Sequence, residues 1–415
     1  MGMAAKAMLE RGRGRICRLV DEEFAVNNAQ STRVGFVLSS DNWLGGRNYL
    51  RNIFSAIGTL PGHPITPVLF AGKRQSDFSA DFPGIELVLT SLLDNKSPAW
   101  FARKVLAKVS GQDFLLRKLL ERNNVSVLSH TYHLGRQASI KTIGWIPDFQ
   151  HVHLPEFFTP EECRLRDREY MAICMGCDKV IVSSECARAD LLSFSPKHAD
   201  KAELLHFVAS PVPIARATSL PELQRLYAFE GPYFLLPNQF WAHKNHRVVL
   251  DALQILTTRN QPLLVLATGS PQDYRNPSFY PSLLRYATEL GVLDCFRILG
   301  QIPFDHIASL MHHTVAFINP SRFEGWSTSV EEAKSMGKQI VLSDITVHRE
   351  QAPERSFFFP SEDPEALADS MQAAFNRFDA QHDAAIQDSA RAHFPARQQK
   401  FAETYWDIIK RLSEN

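Results

Sequence analysis

Residues 319–344, NPSRFEGWSTSVEEAKSMGKQIVLSD, decide the fold. The stretch opens on the end of an apolar run (315–318), breaks at Asn319-Pro320 and crosses a short loop that contains Gly325. A helical pattern from about Ser329 to Met336 follows, stops at Gly337 and gives way to a second apolar run at 339–342. The reading is strand, loop, helix, strand, with Glu324 in the loop and Glu332 on the first turns of the helix. Thr328 and Ser329 each have a glutamate three residues on (Glu331 and Glu332), a double option for a capping box. A helix that starts just past a strand end aims bare N–H groups and a positive dipole end at the crevice, a ready anion site. Carboxylates beside such a site make sense if the anion also carries hydroxyl groups that need acceptors. A βαβ unit with solvated acids accounts for the same residues equally well.

At 415 residues the chain is too long for one ordinary core, so two domains are expected. The apolar fraction of 45% and charged fraction of 22% belong to a water-soluble globular protein, and a net charge of zero argues against a nucleic-acid binder held by bulk electrostatics. No apolar run reaches the length of a membrane span, and the first segment carries charges throughout, unlike a signal peptide; the expected location is the cytoplasm. Six cysteines do not make a disulfide framework in a chain of this length. Cys174 and Cys177 form a CxxC, but zinc would want a second close pair, so these read as buried reduced thiols and no metal is expected.

Residues 1–30, with RGRGR at 11–15, read as an extension expected to be disordered. Strands at 33–38, 65–70, 85–89, 125–128, 139–145 and 179–184 mostly alternate with helix-length segments, as in a doubly wound parallel sheet. Gly45-Gly46 opens a helix after the first strand and would let a ligand or a neighbouring backbone approach. In such sheets ligands sit outside the carboxyl ends of the strands. His130 follows one strand, and the loop 145–156 gathers Asp148, His151, His153 and Glu156 after another. That composition suits hydroxyl recognition or proton handling; a solvated polar loop is the plain alternative. Residues 99–123 read as a basic helical segment with interleaved aromatic and aliphatic residues. They would form either a core-facing helix pair with a solvated basic side or a surface for anionic lipid. After a proline-rich stretch near 209–213, the second half restarts at 233–236 and runs into PNQFWAHKNH at 237–246, where Lys244 near a helix start suits a phosphate. Further strands and helices lead to 319–344, then to helices at 364–378 and 396–412.

Leu299-Gly300 before a helix, Asn319-Pro320-Ser321, the pair Glu324 and Glu332, Gly337, and the strand end 341–344 together resemble glycosyltransferase family 4. PNQFWAHKNH, VIVSSECARADLL and LGGRNYLRNI extend the resemblance over about residues 33–412. It implies the GT-B fold: two Rossmann-like parallel-sheet domains facing across a central cleft, with the C-terminal helix returning to the N-terminal domain. The expected divisions are 1–30 for the extension, 31–212 for an acceptor-side domain, 213–395 for a nucleotide-sugar-binding domain and 396–415 for the returning helix.

The resemblance also implies roles. Glu332 would accept the ribose hydroxyls, Glu324 the donor-sugar hydroxyls, and Lys244 would pair with the diphosphate. Asn238, Gln239, Arg322, Gly325, Trp326, Ser327 and Thr328 would line the donor, while Gly45, Gly46, His130, His151 and His153 would approach from the first domain. Asp148 matches the aspartate of the family's His-Asp loop; Pro147 stands in place of the histidine, leaving His151 or His153 as substitutes. Gln239 occupies the position of a usual arginine, so Arg322 or His243 would have to supply the second cation. Where relatives often read Gly-Phe-Gly-Leu-Pro, this chain has Gly325-Trp326-Ser327-Thr328-Ser329, which implies a reshaped donor pocket.

The implied activity is metal-independent, retaining transfer of a hexose from a UDP- or GDP-sugar, used as co-substrate with no cofactor. The acceptor would be a saccharide or lipid-linked glycan in cell-surface polysaccharide or lipopolysaccharide synthesis, with the protein in the cytoplasm or peripheral on the inner face of the cytoplasmic membrane. The alternatives are a nucleotide-sugar epimerase or hydrolase on the same fold, or a non-catalytic glycan-binding member. No nucleic-acid partner is expected.

Overall fold

The computed structural model describes residues 31–38, 44–74, 81–130, 134–135, 139–211, 218–273, 275–351 and 353–413. The expected N-terminal extension and the positions Thr131, Tyr132 and His133 lie outside them.

Among the described residues, thirteen strands form two all-parallel sheets. The first contains β1 (Thr32–Val37), β2 (Ile65–Gly72), β3 (Glu86–Thr90), β4 (Val127–Ser129), β5 (Lys141–Trp145), β6 (Lys179–Val182) and β7 (Ala202–Leu204), in the order β3-β2-β1-β4-β5-β6-β7. The second contains β8 (Tyr233–Leu236), β9 (Leu264–Thr268), β10 (Phe296–Gly300), β11 (Phe317–Asn319), β12 (Ile340–Ser343) and β13 (Ser356–Phe359), ordered β10-β9-β8-β11-β12-β13. Each is doubly wound, as the alternation of strand and helix patterns predicts, and together they make the GT-B pair of Rossmann-like units. Both sheets are apolar on two faces. In the second, Phe234, Leu236, Val265 and Val341 enter one core while Tyr233, Leu235, Leu266 and Leu342 enter the other, which is why its strands read as unbroken apolar runs.

Winding direction reverses once in each sheet, between β1 and β4 and between β8 and β11. Those two switch points open the crevices where ligands bind in such folds.

The last helix is longer than the sequence predicts. It runs Ala380–Ser413, through Pro395, rather than starting near 396. Residues 380–394 are polar and alanine-rich, so periodicity is weak, and Pro395 reads as a boundary. Tertiary contacts hold the early part instead. Lys338 and Arg355 pair with Asp383 at 2.5 and 2.8 Å, and Gly337 turns with φ +67° against Ala390 and Ile386. Beyond Pro395 the same helix packs Phe401, Tyr405, Ile408, Ile409 and Leu412 into the core of the first sheet. Each such side chain contributes about 1.5–3 kcal/mol, so one helix fastens the two halves together.

Candidate active site

The second switch point gathers charged and polar groups from two strand ends. β8 runs into Asn238, Gln239 and a short turn at Ala242–Lys244; β11 ends at Asn319 and runs into Ser321 and Glu324. Because the two strands are neighbours, Lys244 and Glu324 meet although 80 positions apart, with Nζ 2.7 Å from Oε1. Ser321 Oγ donates to the same oxygen at 2.7 Å, and Asn319 Nδ2 lies 3.5 Å from it. Asn238 Nδ2 in turn donates to Asn319 Oδ1 at 3.3 Å, tying the two strand ends together. Burial alone would raise the Glu324 carboxyl; Lys244, His348 and Ser321 outweigh it and hold the group at about 2. Glu324 is therefore a fixed anion over the whole neutral range.

The helix Thr328–Ser335 begins beside this pair. Neither predicted capping box forms. The helix starts one residue earlier than its apolar pattern suggests, with Ser327 as N-cap, and no side chain caps its first turn. Asn319 Nδ2 donates to the Ser327 hydroxyl at 2.8 Å, occupying it. Glu331 is turned inward, where Arg397 (2.7 Å), Lys334 (3.1 Å) and Gln351 (3.1 Å) bind it. Its role is to hold the helix in place. Glu332 is different: partly exposed, it has no hydrogen-bond or ion-pair partner among the described residues, and loss of surrounding water pushes its carboxyl up to about 7. An uncapped helix start, an unengaged carboxyl and a lysine thus share one strand edge.

The first sheet reaches this edge through the loop after β5. A Cβ added to Gly325 would lie 2.3 Å from the Pro147 carbonyl oxygen and 2.7 Å from Asp148 Cβ, so only glycine allows the contact that sets Asp148 against the Glu324 loop. Asp148 Oδ1 accepts from the Gln150 N–H at 2.9 Å, which fixes the turn. His153 pairs with Asp190 at 2.9 Å while its ring lies 5.3 Å from that of Phe323. Trp326 also belongs to this contact. Its indole N–H donates to the Phe207 carbonyl at 3.1 Å and its ring stacks on His206 at 4.5 Å. Glu350, from the helix Thr346–Gln351, pairs with His206 at 2.7 Å and accepts from the Glu185 N–H at 2.7 Å, at the start of a first-sheet helix. The unusual tryptophan is an anchor between the halves.

The remaining sequence-predicted residues have other partners and surroundings. His130 is half-buried, bound to Tyr49 Oη (2.7 Å) and Ser129 Oγ (2.8 Å), and loss of surrounding water lowers it from 6.5 to about 3. His151 is buried against Phe149, Phe158 and Tyr170 with Nε2 3.0 Å from Asp167. Gly45 and Gly46 sit in the first turn of the helix Leu44–Ile57. Gln239 accepts from the Ser270 N–H at 2.7 Å. Neither expected substitute stands as a second free cation beside Lys244. Arg322 forms a two-pronged pair with Glu362 (2.7 and 2.8 Å) near the surface, and buried His243 is held well below 6.5 first by desolvation and then by Lys244.

A cation that does lie between the halves is Arg275, which sequence reasoning missed. Its guanidinium lies over Trp241 (4.9 Å) and Phe158 (5.2 Å), with contacts to Asp273 (3.2 Å) and Gln150 (3.3 Å). The available signal was its place in the loop after β9, at a carboxyl strand end. His348 was missed as well: Nδ1 donates to the Ser343 carbonyl at 2.9 Å, and Nε2 is buried without a partner. Cys174 and Cys177 are buried thiols, Cys177 pushed up to about 12 by desolvation.

Known proteins share the two-sheet fold to different extents. A glycosyltransferase from Rickettsia africae superposes with a TM-score of 0.64 at 16% identity, covering 93% of this chain and 100% of that one. Anabaena HepE, solved with UDP and glucose, gives 0.65 at 16% identity over 92% and 100%. O-antigen chain mannosyltransferase B of Escherichia coli is 23% identical over 194 residues, 46% of this chain and 50% of that protein, so the chain spans about half the length of the curated relative it matches. Residues 227–391, which contain Lys244, Glu324 and Glu332, match the family model of glycosyl transferases group 1, and it is this second half of the GT-B fold that is similar to that group.

Proposed function

We propose that the protein is a retaining glycosyltransferase that moves a hexose from a UDP- or GDP-sugar to a hydroxyl of a saccharide or lipid-linked acceptor. The observation that carries the reading is the convergence of Lys244, Glu324, Glu332 and an uncapped helix start at the β8/β11 switch point. Glu332 accepts the ribose hydroxyls and Glu324 those of the sugar. Lys244, swinging from Glu324 to the diphosphate, joins the N–H groups of Thr328 and Ser329 in stabilising the departing β-phosphate. The C1–O bond breaks with its electron pair passing to that phosphate. The acceptor oxygen bonds to C1 on the same face, and its proton goes to the leaving phosphate oxygen. Asp148 contributes from the first domain (31–212) by orienting a hydroxyl at the sugar. Positive charge from Lys244 and the helix amides makes the reaction metal-independent, so chelation by EDTA leaves the rate unchanged.

Cell-surface polysaccharide or lipopolysaccharide synthesis, on the cytoplasmic side of the membrane, is the setting proposed, in keeping with the similarity to an O-antigen mannosyltransferase. The test is transfer and donor hydrolysis across UDP-, GDP-, ADP- and dTDP-sugars, for wild type, Glu324→Ala and Lys244→Ala. Equal rates in all three proteins would overturn the site. Rapid C2 inversion of the donor without acceptor would replace transfer by epimerisation.

A further inference from the structure

The helix Pro98–Ser110 is packed the wrong way round for a core helix. Its buried residue is Arg103, clamped to Asp113 at 2.7 Å and lying 3.3 Å from the Leu92 carbonyl. Its large aliphatic and aromatic side chains face outward instead: Phe101 is 53% exposed, Val105 59%, Leu106 50% and Val109 82%. Phe101, Val105 and Val109 stand at spacings of four residues on one stripe, with Leu106 beside it. Lys104 and Lys108, also four apart and exposed, run along the margin of that stripe. The helix itself is well specified: Ser97 Oγ accepts from the Trp100 N–H at 3.0 Å, and Gly111 closes it with φ +70°. A marginal helix turned over by chance would lack both caps and the buried arginine clamp.

Charge decides what covers this face. The next helix, Phe114–Arg122, adds exposed Phe114, with Arg117 and Lys118 lying 5.2 and 5.7 Å from its ring centre. Residues 98–122 carry six Lys and Arg against Asp113 and Glu121; buried Arg103 and Asp113 neutralise each other, leaving five Lys and Arg against Glu121, in a chain whose net charge is zero. A second copy of so basic a surface would repel the first, whereas an anionic bilayer satisfies both halves of the pattern. Apolar side chains enter the acyl boundary while lysines and arginines meet lipid headgroups.

We infer that the outward face of residues 98–122 docks the protein on anionic lipid. The argument is independent of the transferase reading, because none of these residues belongs to the β8/β11 site. Sedimentation of the full chain with vesicles tests it, comparing phosphatidylcholine alone with an equal mixture of phosphatidylcholine and phosphatidylglycerol. The expected result is binding to the anionic vesicles at low salt, weakened by high salt. Val105→Asp/Val109→Asp and Lys104→Glu/Lys108→Glu each lower binding on the order of tenfold or more. Exposed positions make these variants safe for folding, and an unchanged unfolding midpoint checks this. No binding of the wild type at low salt overturns the proposal. So does binding by both variants as tight as that of the wild type, or a dimer that light scattering detects in the wild type and not in Val105→Asp/Val109→Asp.

Discussion

The two switch points are built on the same plan and filled in opposite ways. Between β8 and β11 the strand ends deliver Lys244, Ser321 and Glu324, polar groups bound to one another, with the Glu332 carboxyl left unengaged nearby. Between β1 and β4, His130 from the end of β4 meets Tyr49 of the helix Leu44–Ile57, and Phe36, Trp145, Phe207 and Tyr405 close over them in an aromatic core. Tyr405 comes from the terminal helix and donates to Ser129 Oγ at 2.8 Å. Among the described residues, the helix that ties the halves together thus packs over one switch point, whereas the other leaves a carboxyl unengaged. A histidine just past a strand end is not by itself a site; what packs over it decides.

The comparison can be broken most directly at the second switch point. Replacing Glu324 or Lys244 by Ala is expected to cut transfer by about 100- to 1,000-fold, as loss of a preorganised electrostatic partner does; steady-state rates at saturating donor give the answer. Replacing His130 by Ala should instead destabilise the fold by roughly 3 kcal/mol, about 150-fold in the folding equilibrium, with kcat/KM nearly unchanged in the folded fraction. Lost activity without a shifted denaturation midpoint would make the first switch point a site as well. His130 also has a pH signature. Its folded value near 3 lies below the usual 6.5, so the unfolded chain takes up the proton first and the protein loses stability as pH falls through that window. The slope is at most about 1.4 kcal/mol per pH unit for this group, and His130→Phe should reduce it.

Gly325→Ala probes the contact between the halves. A Cβ there meets the Pro147 carbonyl, so transfer should fall about tenfold, roughly 1.4 kcal/mol, while nucleotide affinity stays close to wild type by calorimetry. The smallest expected effect is at Glu332. With its carboxyl near 7, ribose hydroxyls find a better acceptor as pH rises through neutrality, so nucleotide affinity should increase several-fold between about pH 6 and 8. Glu332→Gln should flatten that rise; a flat wild-type profile would remove Glu332 from the donor site. The same shift acts on stability with a defined sign. A carboxyl raised from 4.5 to about 7 holds its proton longer in the folded state, so its contribution favours folding below about 4.5 and is lost as pH climbs to 7.

Much of this was legible in residue order. Two doubly wound sheets follow from strand runs apolar on both faces alternating with helical periods, and Lys244, Glu324 and Glu332 stand out because each lies just beyond such a run. The apolar side of 98–110 was visible too, but not which way it faces. Arg275 was illegible for a related reason: nothing local distinguishes an arginine between two aromatic rings from one in water. The terminal helix was misjudged because its early part is stabilised by Lys338 and Arg355 through Asp383, partners that periodicity does not register.

Sequence alone therefore determined the repeating α/β architecture and the chemical character of the second strand edge, since both depend on short-range periodicity and on residue types that follow a strand. Tertiary structure decided which candidates converge. Parallel pairing of β8 with β11 brings Lys244 to Glu324, Gly325 admits the Pro147–Asp148 turn, and Tyr405 closes the crevice above His130. Those outcomes depend on contacts between segments tens to hundreds of residues apart, and burial, which sets whether a polar side chain is a ligand or a strut, is a property of the packed whole.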